Sequence, residues 1–250
     1  MADVETLLAE GKSVPVEGWD FSWFEGRATE ERPPWGYLRL ISERMAHADA
    51  ALDIQTGGGE VTAKIPTGPG TLCATESWPP NLAIARRNLA HLGATVVQAE
   101  DDAPLPFDDG SFDLVISRHP TETNWDEIAR VLRPGGTYLS QQIGAGTNYE
   151  LTEFFEGPYE IPGAWSTEHR VGLAKAAGLE VLDVREATLP VVFYDVAAVI
   201  VFLRKVIWTV DDFSVERYRA RLHDMHEVIV REGSFVSHAQ RFLIEARKPA

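Results

Sequence analysis

The sequence predicts an α/β fold, a largely parallel sheet of seven strands with helices on both faces. Three observations predict it. From residue 50 onward, short apolar runs alternate with stretches of helical spacing. The runs are only four to seven residues long, the length of strands rather than of helices. The chain has 250 residues, of which 44% are hydrophobic, enough for one α/β domain with added cap elements. Alternation of this kind builds βαβ units, and such units pack helices on both faces of a parallel sheet.

Each element has its own signal. Residues 1–34 read as a helical lead-in followed by an aromatic loop, Trp19-Asp20-Phe21-Ser22-Trp23-Phe24, with Pro33 and Pro34 at its end. Tyr37, Leu38, Ile41 and Met45 recur at helical spacing, so Trp35 to Ala48 is expected to be a helix. Ala51 to Ile54 is the first strand, and Val61 to Ile65 starts a short helix. Gly70 to Ala74 is the second strand, followed by a helix from Pro80 to Leu92. Thr95 to Gln98 and Phe112 to Ser117 are strands three and four. Trp125 to Leu132 is a helix, and Thr137 to Ile143 strand five.

After Gly144 the texture changes to Gly, Pro and aromatics, a loop with room for one short helix. Ser166 or Thr167 can cap a helix that Gly178 stops. Leu179 to Val184 is a strand, and Asp195 can cap an apolar helix through Val206. Val215, Tyr218, Leu222, Met225 and Ile229 form an amphipathic stripe. Phe242 to Ala246 is the last strand. The expected organisation is an N-terminal lid segment, 1–34, and a main domain, 35–250, with a cap insertion at about 190–235.

Composition narrows the partners. The net charge is −15, and Arg86-Arg87 and Arg204-Lys205 are the densest basic pairs. Phosphate backbones need a local excess of Lys and Arg, so no nucleic-acid partner is expected. A small neutral or cationic ligand suits the charge better. The longest apolar run, Val196 to Leu203, is far short of a bilayer span, so no membrane partner is expected. The start, Met1-Ala2-Asp3-Val4-Glu5, lacks a basic region and an apolar signal core, which places the expectation in the cytoplasm. Cys73 is the single cysteine and reads as a packed strand thiol; no metal is expected. Whether two copies pair as a homodimer is left open.

Four segments carry the chemistry. Asp53-Ile54-Gln55-Thr56-Gly57-Gly58-Gly59-Glu60 sits where the first strand ends. Glycines there let a ligand approach the backbone, and ligands of open α/β sheets bind at carboxyl strand ends. Glu76, in Thr75-Glu76-Ser77-Trp78, ends the second strand about 20 positions later, where a carboxylate suits the two hydroxyls of a ribose. Trp78 can stack on an adenine or simply pack. The third segment runs from Glu100 to Asp113 and contains Asp101-Asp102-Ala103-Pro104-Leu105-Pro106-Phe107. The fourth is Glu127-Ile128-Ala129-Arg130-Val131-Leu132-Arg133-Pro134-Gly135-Gly136, whose Pro and Gly suit a type II turn.

Taken in this order, the segments resemble the class I S-adenosylmethionine (SAM)-dependent methyltransferases. The resemblance covers about residues 35–145 closely and 165–250 in outline. Within the family it is nearest to the small-molecule branch that includes quinone-biosynthesis methyltransferases. It implies a Rossmann-like seven-stranded sheet whose last strand is antiparallel, and SAM as the cofactor. It implies that Asp53, Gly57, Gly58, Gly59, Glu76, Ser77, Trp78 and Ser117 line the cofactor site. It further implies that Asp101 faces the adenine amino group and that Asp102 offers its N–H to the ring. One position departs from the pattern Asp-x-Gly-x-Gly-x-Gly: Gln55 stands at the first glycine. Its side chain can crowd the methionine end of the cofactor, or its amide can bond the carboxylate there.

Methyl transfer from a sulfonium is an in-line displacement that depends on alignment; a base is needed only when the acceptor must lose a proton. His119, just after strand four, is the candidate base. The family's amino-methylating motif, Asn or Asp followed by Pro-Pro and an aromatic, is absent. His223 and His226 on one helix have metal-like spacing but suit a charged face better. Aromatics of 19–37 and 149–165, with Phe193 and Tyr194, can form a substrate lid or a plain core. Two other readings remain. Gly57-Gly58-Gly59-Glu60-Val61-Thr62 nearly matches the nicotinamide-dinucleotide pattern, but Thr62 replaces its last glycine. Gln55, with the absence of an obvious catalytic acid–base pair, motivates the other: a non-catalytic protein of this fold with a binding or regulatory role.

Overall fold

The computed structural model describes residues 3–16 and 21–250, so Trp19 and Asp20 of the aromatic loop lie outside the described residues. The strands are β1 (Ala28–Glu30), β2 (Ala50–Ile54), β3 (Thr71–Glu76), β4 (Thr95–Gln98), β5 (Phe112–Arg118), β6 (Leu132–Ile143), β7 (Glu180–Phe193) and β8 (Phe235–Arg247). The helices are α1 (Val4–Ser13), α2 (Tyr37–Met45), α3 (Pro79–Asn88), α4 (Trp125–Val131), α5 (Tyr149–Glu156), α6 (Thr167–Ala176), α7 (Val196–Lys205) and α8 (Arg219–Glu232). The strands form one mixed sheet in the order β1-β7-β8-β6-β5-β2-β3-β4. β4, β3, β2, β5 and β6 run parallel. β8 lies antiparallel on β6, as the resemblance implies.

The chain divides into two compact units. One comprises Pro33–Ala145, Pro162–Ala187 and Arg241–Ala250. Its sheet is buried on both faces, which is why its strands read as continuous apolar runs. Along β2, Ala50, Leu52 and Ile54 join a core with Trp125, Ile128, Tyr138 and Phe242. Ala51 points the other way, to a core with Ile41, Met45, Ile116 and Leu139. Strand alternation explains the split. Leu82, Ala85 and Leu89 of the α3 segment close a third cluster on Ala74 and Val96.

The other unit comprises Met1–Arg32, Gly146–Ile161 and Thr188–Gln240. In it α1 crosses α7 closely at Gly11, where a Cβ would lie 2.9 Å from the Ile200 Cβ. Asp195 caps α7 by accepting from the Ala198 N–H at 2.8 Å, as its sequence position predicts. The aromatics of this unit pack on one another. Phe155 meets Phe213 and Tyr218 edge-on, and Tyr149 stacks on Tyr159.

Several elements differ from expectation. The sheet has eight strands, because Ala28–Glu30 pairs with Val191–Phe193. Three residues are too few to show alternation, and only their partner makes them a strand. β7 runs on from the expected 179–184 to Phe193; its exposed, charged middle, Arg185 and Glu186, has no apolar signal. Residues 61–65 form only a single 3₁₀ turn, Thr62–Lys64, because Pro66 disfavours helical Ile65. The stripe from Val215 starts its helix only at Arg219. Among the described residues, no helix is long and apolar enough to cross a membrane.

Candidate functional site

The site grows from the carboxyl ends of β2, β3, β4 and β5. Asp53 is buried at 4% exposure, and one carboxylate oxygen accepts both the Thr56 and the Thr62 hydroxyl at 2.6 Å. Burial raises its pKa from 3.8 to about 6; the two hydroxyls pull it down and Glu76 pushes it further up. The folded state therefore binds a proton more tightly than the unfolded chain. Its stabilising contribution is complete below pH 3.8 and is lost as pH rises through about 6. The gap corresponds to about 3 kcal/mol at about 1.36 kcal/mol per pH unit. Asp53→Asn cannot titrate. Urea unfolding from pH 4 to 7 should show wild type losing about 2.4 kcal/mol relative to the variant. A constant difference would mean that Asp53 ionises as an ordinary surface acid.

Glu76 ends β3 with 6% exposure. One carboxylate oxygen accepts the Gly57 N–H at 2.9 Å and the other the Trp78 N–H at 2.9 Å. The Asn81 side chain donates a third bond to this carboxylate, which leaves it one further lone pair. Burial raises its pKa, against those backbone bonds. Trp78 is 45% exposed, so its ring has an open face. Ser77 accepts a bond from Gln98 on its carbonyl, and Asp102 is exposed.

Gln55 takes a left-handed backbone, φ 55°. Its amide oxygen accepts the Thr121 N–H at 2.7 Å, and its Nε2 donates to the Glu122 carbonyl at 2.9 Å. The Thr121 hydroxyl lies 2.6 Å from Asp101 Oδ2 and 3.2 Å from Gln55 Oε1. One proton cannot serve both, and the shorter contact to a carboxylate takes it. Gln55 thus ties the glycine turn to the segment after β5 by two hydrogen bonds, and Thr121 ties that segment to Asp101. The space among Gln55, Asp101, Leu105, Ser117, Glu122 and Tyr138 is a cavity of about 20 Å³. A nucleoside-sized ligand needs several hundred Å³, on the order of 300 or more.

The Leu-Pro-Phe segment is held from α4. Asn124 caps that helix on the Glu127 N–H, and Glu127 accepts the Leu105 N–H at 2.6 Å. Arg130 grips Glu127 with two bonds of 2.7 and 2.8 Å, and donates to the carbonyls of Leu105 and Phe107 and to Asp109. The Glu-x-x-Arg spacing and the Leu-Pro-Phe segment are one structural unit. Pro134 and Gly135 then make the expected turn, with φ 80° at Gly135.

At the ends of β5 and β6 lies a buried polar network that sequence reading missed. The Ser117 hydroxyl contacts the Tyr138 hydroxyl at 2.7 Å and the Ser140 hydroxyl at 2.8 Å, and Tyr37 donates to the Ser117 carbonyl. Its signal was the register Ser117↔Ser140, which no sequence prints. Burial raises the pKa of both Tyr37 and Tyr138. His119 follows at φ 54°, with its ring against Gln141. Burial, then the charges of Arg118 and Arg241, lower its pKa well below the usual histidine value. The structure therefore brings Asp53, Gln55, Gly57, Glu76, Asp101 and Ser117 to one end of the parallel strands, with His119 beyond them on the β5 side. His223 instead meets Glu5 in the other unit, 3.0 Å away.

Residues 52–140 match the family described as "Methyltransferase domain". That stretch resembles a methyltransferase domain. No curated protein matches the chain. The chain shares its fold with solved structures of low identity. A protein of Bacillus halodurans solved as a candidate methyltransferase is 19% identical, with a TM-score of 0.61 over 85% of this chain and 99% of that one. The YcgJ protein of Bacillus subtilis is 16% identical, with a TM-score of 0.63 over 85% and 98%. A geranyl diphosphate methyltransferase in complex with SAM is 13% identical, with a TM-score of 0.51 over 85% and 84%. The fold is the Rossmann-like α/β fold of the class I methyltransferases.

Proposed function

We propose that the protein binds SAM at the carboxyl ends of β2, β3 and β4 and transfers its methyl group to a small-molecule acceptor. The observation that carries this reading is the succession of Asp53, Glu76 and Asp101 at or just beyond three neighbouring parallel strand ends, around the glycine turn. The donor set fits the cofactor. Glu76 has a lone pair left for a ribose hydroxyl, Asp101 can accept from an exocyclic amino group, and Trp78 offers an open ring face. When bound, SAM would supply a methyl group whose sulfonium sulfur takes the bonding pair and departs as a neutral thioether, without acid assistance. The protein's own share is alignment of the acceptor and exclusion of water. A net charge of −15 favours a neutral or cationic small acceptor over nucleic acid.

Calorimetric titration with S-adenosylhomocysteine tests the reading. Micromolar or tighter one-site binding is expected. Asp101→Ala should weaken it about tenfold or more, the loss of one charge-assisted hydrogen bond of about 1.5–3 kcal/mol, with the fold intact by circular dichroism. Equal affinity in both proteins would remove Asp101 from the site. No binding by folded, ligand-free wild type would overturn the proposal. It would favour the second reading that the Gln55 tether motivates, a non-catalytic protein of this fold.

A further inference from the structure

His119 sits where a chain of buried hydrogen bonds leaves each partner only one orientation. The chain starts at Trp35, whose indole N–H can only donate. It lies 2.8 Å from Gln141 Oε1. That end of the amide must therefore be the carbonyl oxygen, and the NH₂ end faces away from Trp35. Gln141 Nε2 lies 2.9 Å from His119 Nε2. An amide NH₂ cannot accept, so His119 Nε2 accepts and carries no proton. A neutral imidazole has one N–H, which then resides on Nδ1. Gln141 also holds the main chain of His119, whose N–H donates to the Gln141 carbonyl at 2.7 Å. Both Trp35 and Gln141 are buried, at 4% and 3% exposure. Water therefore cannot substitute freely for either bond.

We propose that Trp35 and Gln141 are positioning residues that set the tautomer of His119, so that His119 meets the methyl acceptor as a neutral hydrogen-bond donor through Nδ1. The functional part of this rests on the methyl-transfer reading above; the tautomer does not. A base must take its proton at a bare ring nitrogen, and the bare nitrogen here faces the amide N–H of Gln141. Imidazolium would set two donors against each other across 2.9 Å. The charged neighbours Arg118 and Arg241 oppose protonation further. The matching acceptor class is a neutral or cationic small molecule with a carbonyl or hydroxyl oxygen at or beside the methylated atom. Such an oxygen can accept from Nδ1 while the reacting atom keeps its lone pair.

The test is nitrogen NMR of the full chain labelled with ¹⁵N-histidine, with the His119 signals identified by their loss in His119→Asn. Wild type at neutral pH should show Nε2 in the unprotonated range and Nδ1 in the protonated range. Gln141→Glu replaces the donor by an acceptor, so the Nε2 resonance should move into the protonated range. Trp35→Phe keeps the ring packing but frees the amide to rotate, so both tautomers should appear. A protonated Nε2 in wild type would overturn the proposal, as would a wild-type pattern in Gln141→Glu. If Gln141→Glu does not fold, Trp35→Phe decides: one unchanged tautomer there overturns the role of Trp35 in setting it. The measurement uses no cofactor, so failure to bind S-adenosylhomocysteine and failure of the tautomer assignment are separate results.

Discussion

Gln55→Gly should bind S-adenosylhomocysteine about ten- to thirtyfold more tightly than wild type. Two hydrogen bonds, to the Thr121 N–H and the Glu122 carbonyl, tie Gln55 to the segment after β5 beside the cavity. At about 1 kcal/mol each they hold the closed arrangement by about 2 kcal/mol, which a ligand must overcome before it enters. The cavity that remains while they are made is about 20 Å³, too small for a nucleoside. Glycine gives up both bonds and tolerates the φ of 55° without a Cβ penalty. Asp101 then keeps its bond from Thr121 only until a better donor arrives. Calorimetry on wild type and variant reads the difference directly. A large loss of affinity in Gln55→Gly would mean that the amide bonds the ligand itself, and the tether would have to be reread as a cofactor contact.

Gly59→Val should cost about 2–5 kcal/mol of stability and abolish cofactor binding with it. Gly59 combines a φ of 74° with a close wall: its Cβ would lie 2.9 Å from Leu89 Cγ and 3.1 and 3.2 Å from the two methyls. Leu89 is fully buried in its own cluster and has nowhere to move. A β-branched residue in the left-handed region costs about 1–2 kcal/mol or more, and overpacking adds about 1–3. Gly57→Ala is the control. Its φ is 63°, yet the nearest atom to its Cβ, a Glu60 carboxylate oxygen, is 4.0 Å away, so only the backbone cost of about 1–2 kcal/mol applies. Urea midpoints of the two variants separate the terms. Equal losses would mean that the contact with Leu89 contributes nothing.

The two positions also show why one glycine of the pattern is dispensable. Position 55 takes the same left-handed backbone as Gly57 and Gly59, but its side chain points at partners that bond it. The backbone cost is offset there, whereas at position 59 the side-chain space does not exist.

Much of the fold was legible because burial on both faces writes itself into sequence. β2, β3, β5 and their helices read as apolar runs and stripes since every second residue reaches one of two cores. β1 and the far half of β7 were not legible: one has three residues and the other lies exposed and charged, so pairing alone makes them strands. Among the candidate residues, Glu76 stood out from its place at a strand end about 20 residues after the glycine turn, and Asp101 from the resemblance carried by Leu105-Pro106-Phe107. Thr121, Tyr138, Gln141 and Trp35 did not, because each acts through a partner 20 or more residues away, and hydrogen-bond partners across a sheet depend on register.

By itself the sequence determined the strand–helix order, the methyltransferase pattern of residues 52–140, and the types of residue at each strand end, since these are local matters of periodicity, turn chemistry and spacing. Only the tertiary structure decided what those residues do to one another. It gave Gln55 its partners and His119 its amide neighbour, and it buried Asp53 deeply enough to move its pKa to about 6. Register, burial and hydrogen-bond direction are properties of strands side by side, and they exist only once the chain has folded.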